Sequence, residues 1–204
     1  LGNDFLPHFP ALNIRTTGID YIMSAYDKVM RENTTLTYDE TQINWKFLRI
    51  LIQELANNEE EYIKGEYDMV CKNERRNNGG TGRRQRVQTE LDKYNDLPSQ
   101  SRDVEHFIDP YTKGWEFRYY KELFGINITH EKKREICLNY LSGLQWVLEY
   151  YSKGCIDVNW KYNYHYPPLL KDLIKFVPAF KTSFFEEPNR EIVLHPLTQL
   201  SYVL

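Results

Sequence analysis

From Ile19 onward, apolar residues recur three and four apart: Ile19, Ile22, Met23, Tyr26, Val29 and Met30 form one stripe. That period marks an amphipathic helix, because residues at i, i+3, i+4 and i+7 share a face. A second stripe, Phe47, Leu48, Leu51, Ile52 and Leu55, predicts a helix starting near Asn44, whose side chain suits the N-cap. The first eighteen residues have no such period and read as a loop with extended stretches, punctuated by Pro7, Pro10 and Gly18. Trp115 to Phe124 predicts a short aromatic-rich helix. Glu131 to Tyr151 predicts a long one, with Ile136, Tyr140, Leu141, Leu144, Val147, Leu148 and Tyr151 on one face and Gly154 as its stop. Pro167-Pro168 and Pro196 suit the first turns of two further helices, the last carrying Leu197, Leu200, Tyr202 and Val203. Strand signals are few and short, so the expected fold class is mainly α.

Two stretches break this order. Residues 72–88 surround an Asn-Asn-Gly-Gly-Thr-Gly core that regular structure tolerates poorly. Lys72, Arg75, Arg76, Arg83, Arg84 and Arg86 flank it. We expect a solvated, mobile connection there; the other reading is a basic arm on RNA phosphates, and no site residue is placed in it. Residues 98–114, with Pro98, Pro110 and Gly114, are also irregular.

Composition narrows the partners. The 204 residues can bury one good core or two small ones. Sixteen Tyr supply flat apolar bodies with polar tips, as half-wet surfaces require. A net charge of −3 gives no global basic field, so any nucleic-acid contact must be local. Cys71, Cys137 and Cys155 are too few and too scattered for a disulfide framework, and no C-x-x-C occurs. His8, His106, His130, His165 and His195 show no zinc-ligand spacing with them. A reduced, intracellular protein is expected. No apolar run is long enough to span a membrane, and no signal peptide is expected. The chain opens on Leu1 without an initiating Met, and reads as a piece of a longer polypeptide.

The candidate chemistry lies at the start. Gly2-Asn3-Asp4-Phe5-Leu6-Pro7-His8-Phe9-Pro10 holds one carboxylate, Asp4, on a tight loop that runs into a Pro-bounded apolar turn. A carboxylate so held can coordinate a hard cation such as Mg²⁺. It can equally cap a turn, since Asp and Asn often bond their own backbone two residues on.

This segment resembles the Gly-Asn-Asp-Phe-Leu-Pro-His-x-Pro stretch of the eukaryotic 5′→3′ exoribonucleases, the Xrn family. Four later stretches resemble the same family in the same order. They are Trp115 to Phe124; Tyr140-Leu-Ser-Gly-Leu-Gln-Trp-Val-Leu-Glu-Tyr-Tyr-Ser-Lys-Gly-Cys155; Trp160-Lys-Tyr-Asn-Tyr-His-Tyr-Pro-Pro168, followed by Asp172; and His195 to Leu204. The departures are Pro167 where the family has Ala, and Val158 where it has the first of two Trp. The connection over residues 70–114 is also short.

The resemblance implies that residues 1–18 end an α/β nuclease core of the PIN/flap-endonuclease type, whose sheet lies upstream. Residues 19–204 would be the helical region that follows. The full-length protein would processively hydrolyse 5′-monophosphorylated single-stranded RNA to mononucleotides by two-metal-ion catalysis with Mg²⁺ (or Mn²⁺). Asp4 would be a catalytic metal ligand, and the fragment alone would be inactive, because the family's other carboxylates precede this segment. Trp160 would stack on RNA bases, or else pack on the long helix. Tyr164, His165 and Tyr166 would line the same channel or lock the loop onto the core; His165 is carried as a substrate-binding candidate. Trp115 and Trp146 are expected in the core, and His8 as a structural residue beside the loop. The compartment would be the cytoplasm, with the nucleus open. Two other functions stay open: a flap-type DNA nuclease, and a non-catalytic RNA-binding or interaction module.

Overall fold

The computed structural model describes residues 2–30, 35–39, 41–78, 103–185 and 196–203. They form helices α1 (Gly18–Val29), α2 (Trp45–Asn78), α3 (Asp103–Ile108), α4 (Trp115–Phe124), α5 (His130–Lys153), α6 (Leu170–Leu173) and α7 (Pro196–Val203). A two-residue hairpin, β1 (Thr37–Tyr38) and β2 (Gln42–Ile43), precedes α2, with Thr37 opposite Ile43 and Tyr38 opposite Gln42. The mainly α expectation holds. No helix among the described residues is long and apolar enough to cross a membrane.

Several helix ends follow local chemistry. Asn44 Oδ1 accepts the Phe47 N–H at 3.1 Å, the expected N-cap of α2. Thr129 caps α5 through the Lys132 N–H, and Gly154, at φ 90°, closes it by donating to the Tyr150 carbonyl. The start of α6 has a different origin. It begins at Leu170 rather than at Pro167-Pro168, because its first donors are claimed by side chains from other helices. Glu59 of α2 accepts the N–H groups of Leu170 and Lys171, and the Tyr120 hydroxyl accepts that of Leu169.

Helix α2 is the spine, packed against α1 and α6. Phe47, Leu51, Ile52 and Leu55 are buried as expected. Helix α1 is rotated from the expected stripe: Ile19, Met23 and Met30 are exposed, while Ala25 is buried with Tyr21, Ile22, Tyr26 and Val29 around it. The cause is aromatic pairing with α2. Tyr21 stacks on Tyr62 at 3.7 Å, and Tyr26 meets Phe47 edge-on at 5.6 Å. The basic stretch also departs from expectation at its start. Residues 72–78 are helical, in keeping with the strong helix propensity of Lys, Glu and Arg. The rest of it, residues 79–88, lies outside the described residues.

The main core joins α2, α5 and α6 to the N-terminal segment, from which Leu6, Phe9, Ala11 and Leu12 are buried. A smaller cluster holds Ile108, Trp115, Tyr119, Tyr120 and Leu169. On α5 the buried line is Ile136, Cys137, Tyr140, Leu141, Gly143, Gln145 and Trp146. Tyr151, expected on that face, is instead 66% exposed. Packing from both flanks turns the helix this way. Gln145 accepts the Phe184 N–H and donates to Ser183 Oγ on one side, while the N-terminal loop covers Trp146 on the other.

Two buried carboxylates bind the ends of this frame. Asp172 accepts from Tyr120 Oη at 3.0 Å and from Lys133 and Lys175 at 2.7 Å each. Burial pushes its carboxyl up, but the two lysines outweigh burial and hold it below the usual range. Glu59 is only 1% exposed, and burial raises it to about 7 against its two backbone donors. A carboxyl raised on folding favours the native state fully below its unfolded value, 4.5, and that contribution is lost as pH climbs to about 7. The loss is on the order of 3 kcal/mol. The expected outcome is a melting temperature that falls between pH 5 and 8, with a clearly flatter profile in Glu59→Gln. Parallel profiles for the two proteins would show that Glu59 does not titrate in that window.

Candidate functional site

The loop that carries Asp4 is closed by its neighbour. Asn3 Oδ1 accepts the N–H groups of Phe5 (3.0 Å) and Leu6 (2.9 Å), and the Asn3 N–H donates to the Leu6 carbonyl at 3.0 Å. Asn3 is thus the turn cap, the role that sequence had also allowed for Asp4. Asp4 is exposed and makes no hydrogen bond or ion pair among the described residues. Gly2 allows the chain to fold back, with φ at 92° and room for no side chain, since a Cβ there would lie 2.7 Å from His8.

The next residues clamp this loop onto α5. Phe5 lies edge-on to Trp146 at 4.9 Å and to Tyr150 at 5.0 Å. The Pro7 carbonyl accepts the Tyr140 hydroxyl at 2.8 Å, and Phe9 packs on the Tyr140 ring at 4.9 Å. Burial raises Tyr140, so its hydroxyl stays protonated as this donor.

Trp160 reaches α5 from the chain's other half. Its ring stacks on Trp146 at 5.2 Å and 24°, and its Nε1–H donates to Ser142 Oγ at 3.2 Å. The contact exists because Gly143 has no side chain. A Cβ there would stand 2.7 Å from both Leu6 Cδ2 and Trp160 Cη2. Trp160 stays half-buried. Trp115 and Trp146 are buried, as expected.

The rest of the aromatic loop is laced down. Tyr162 donates to the Tyr166 carbonyl at 2.8 Å, Asn139 Oδ1 accepts the Asn163 N–H at 2.9 Å, and Tyr119 donates to the Pro167 carbonyl at 2.9 Å. Tyr164 donates to Glu135 at 3.1 Å; partial desolvation, with Glu135 beside it, pushes its hydroxyl up to about 12. His165 projects exposed from the same loop. Asp4 and Trp160 are therefore brought to one side of α5, linked through Phe5 and Trp146. The described contacts tie His165 to neither.

Metal chemistry is only partly provided for. Among the described residues no group of three or more His, Cys, Asp or Glu could hold a metal ion. Asp4, exposed and unpaired, fits one coordination position of a hard cation, and two cations ~4 Å apart need several carboxylates. Among the described residues, no other candidate ligand joins Asp4 in such a group. Sequence reading singled out Asp4 and Trp160 but missed Phe5, Ser142, Gly143 and Tyr150, which relate them. A mid-helix glycine inside an apolar stripe was the available signal of close approach.

The described geometry is a helical frame that clasps an Asp-bearing loop beside the stacked Trp146 and Trp160 rings. The family model of the Xrn1 helical domain matches residues 1–106 and 68–204, which together span the chain. The chain belongs to that family. It is similar to the "5'-3' exoribonuclease 2 homolog" of Drosophila melanogaster, 25% identical over 238 residues, covering 98% of this chain and 26% of that protein. The "5'-3' exoribonuclease 2" of Gallus gallus is 25% identical over 260 residues, covering 98% of this chain and 27% of that protein. A shorter stretch of 62 residues is 40% identical to "5'-3' exoribonuclease 1" of Saccharomyces cerevisiae, covering 30% of this chain and 4% of that protein. The chain thus spans about a quarter of the length of the first two relatives.

Gly143 gives this junction a direct test. Elsewhere in a helix Gly→Ala is favourable by about 0.5–1 kcal/mol. Here Gly143→Ala is expected to destabilise by about 1–3 kcal/mol, because the rigid Trp160 ring cannot yield without moving the loop. Denaturant unfolding, with Trp fluorescence as a local probe, measures it. A more stable variant with an unchanged Trp signal would contradict the packing described.

Proposed function

We propose that this chain is the helical wall of a 5′→3′ exoribonuclease acting on single-stranded RNA with a 5′-monophosphate. The observation that supports this best is the joint clamp on α5. Phe5 holds the Asp4 loop to the same Trp146 on which Trp160 stacks. In the full-length protein, Asp4 contributes one carboxylate to a Mg²⁺ (or Mn²⁺) site completed by an upstream nuclease core. Bound there, the metal ions supply Lewis-acid stabilisation of the scissile phosphate and an activated water.

This chain's own residues then position and exclude. Asn3 and Gly2 fix the direction of the loop, leaving the Asp4 carboxylate free to coordinate. The Trp160 ring stacks on a base and, like any aromatic platform, tolerates every base, as stepwise degradation requires. His165, exposed on the same loop, is a second RNA contact. A rigid wall around the site admits only single-stranded 5′ ends, so no base-edge readout is needed. The curated relatives named as 5'-3' exoribonucleases support the reading at the level of the family.

The test uses full-length protein on 5′-phosphorylated, 5′-hydroxyl and capped RNA, and on a flapped DNA, in Mg²⁺. Degradation of the phosphorylated RNA alone is expected, with loss of at least a hundredfold in Asp4→Asn while folding is intact. Equal activity in Asp4→Asn would remove Asp4 from the site, and preference for the DNA flap would replace the substrate class. For Trp160→Ala, shorter processive runs and weaker RNA binding are expected together with lower stability. Lower stability with an unchanged product ladder would confine Trp160 to packing.

A further inference from the structure

The stack that begins at Trp160 does not end at Trp146. Tyr150, one helical turn further along α5, lies against Trp146 at 5.1 Å with its ring only 12° from parallel. Trp160 sits over Ser142 and Gly143, on the N-terminal side of Trp146, whereas Tyr150 lies on its C-terminal side. The three rings therefore form a column along α5, with the buried Trp146 in the middle. Neither end residue is fully buried: Trp160 is half-buried and Tyr150 is 37% exposed. Beside Tyr150, the Tyr151 ring is 66% exposed and turned by 77°, so the two make an open aromatic corner.

Phe5 ties this corner to the candidate chemistry. Its ring edge touches Trp146 and Tyr150 together, and the Asp4 carboxylate is carried by the adjacent residue. Tyr150 thus lies closer along the contact chain to Asp4 than Trp160 does. A ring held parallel to a buried indole, edged by Phe5 and backed by a helix, is fixed before any ligand arrives. An aromatic face held in this way is suited to a nucleobase, with little ordering left to lose on binding.

We propose that Tyr150 is a second base-stacking platform for single-stranded RNA, at the Asp4 end of the column, with Tyr151 forming its side wall. This rests on the exoribonuclease reading above. Tyr150 acts as a positioning residue: it holds a nucleotide and takes no part in bond breaking. Two platforms at opposite ends of one rigid column would grip separate nucleotides and keep the strand in register between successive cleavages.

The test compares Tyr150→Phe, Tyr150→Leu and wild-type in the full-length protein, using 5′-phosphorylated oligo(A) RNA carrying 2-aminopurine near its 5′ end. Affinity is measured in Ca²⁺ and degradation in Mg²⁺. Tyr150→Phe is expected to bind as wild-type does, whereas Tyr150→Leu, which keeps apolar bulk but loses the flat ring, binds about tenfold more weakly. KM should rise with kcat for single-nucleotide release nearly unchanged, and 2-aminopurine quenching should be lost only in Tyr150→Leu. If Tyr150→Leu fails to fold, position-dependent quenching in wild-type and Tyr150→Phe decides: no stacked 2-aminopurine at any position near the 5′ end overturns the proposal. Unchanged RNA affinity with a lowered melting temperature also overturns it, by showing that the corner is covered by protein. If wild-type itself neither binds nor degrades the RNA, the exoribonuclease reading fails first and this proposal with it. If wild-type is active and only the Tyr150 effects are missing, this proposal alone fails.

Discussion

The close seating of two distant loops on α5 depends on the bare surface of Gly143. Leu6 from the N-terminal loop and Trp160 from the aromatic loop meet in the space that a side chain there would fill. Dispersion contacts fall off steeply with separation, so a gap of even one methyl group would loosen both loops at once. Trp146, one turn on, then receives Phe5 on its edge and Trp160 on its face. Two chain segments more than 130 residues apart thus share a single helical surface, as the Tyr140–Pro7 bond also shows.

The buried polar groups do complementary work at the far side of the frame. Glu59 and Asp172 are both nearly inaccessible, yet their environments differ in kind. Asp172 is surrounded by two lysines and a phenol, which stabilise its charge. Glu59 has only backbone donors, so burial dominates. Between them these two carboxylates organise α6, the element that follows the aromatic loop. A four-residue helix is too short to hold itself together, so it takes its shape from partners on α2, α4 and α5.

What could be read from sequence was local. The Asn44 cap, the bounds of Trp115–Phe124, the Gly154 stop and the Pro196 start all depend on residues within a turn or two of one another. The rotation of α1, the exposure of Tyr151 and the start of α6 depend on partners far away in the chain, and period alone does not encode them. Residues 72–78 show the opposite error: the glycines beyond them suggested irregular backbone, while the charged residues themselves favour helix. At the candidate site, Asp4 and Trp160 were legible because the resemblance marked them. Phe5 and Tyr150 were not, since an aromatic beside a motif reads as core until its exposure is known.

The reach of these contacts also bears on how the protein is made. The loop bearing Asp4 is among the first stretches of this sequence to be synthesised, but its hydrogen-bond partner Tyr140 follows 133 residues later. At 5–20 residues per second that delay is on the order of ten seconds. Throughout it, Phe5, Leu6 and Phe9 have no α5 to cover them. The turn around Asp4 closes through Asn3 alone, but its anchorage waits until the long helix has left the ribosome, which separates shaping from fastening in time on every round of translation.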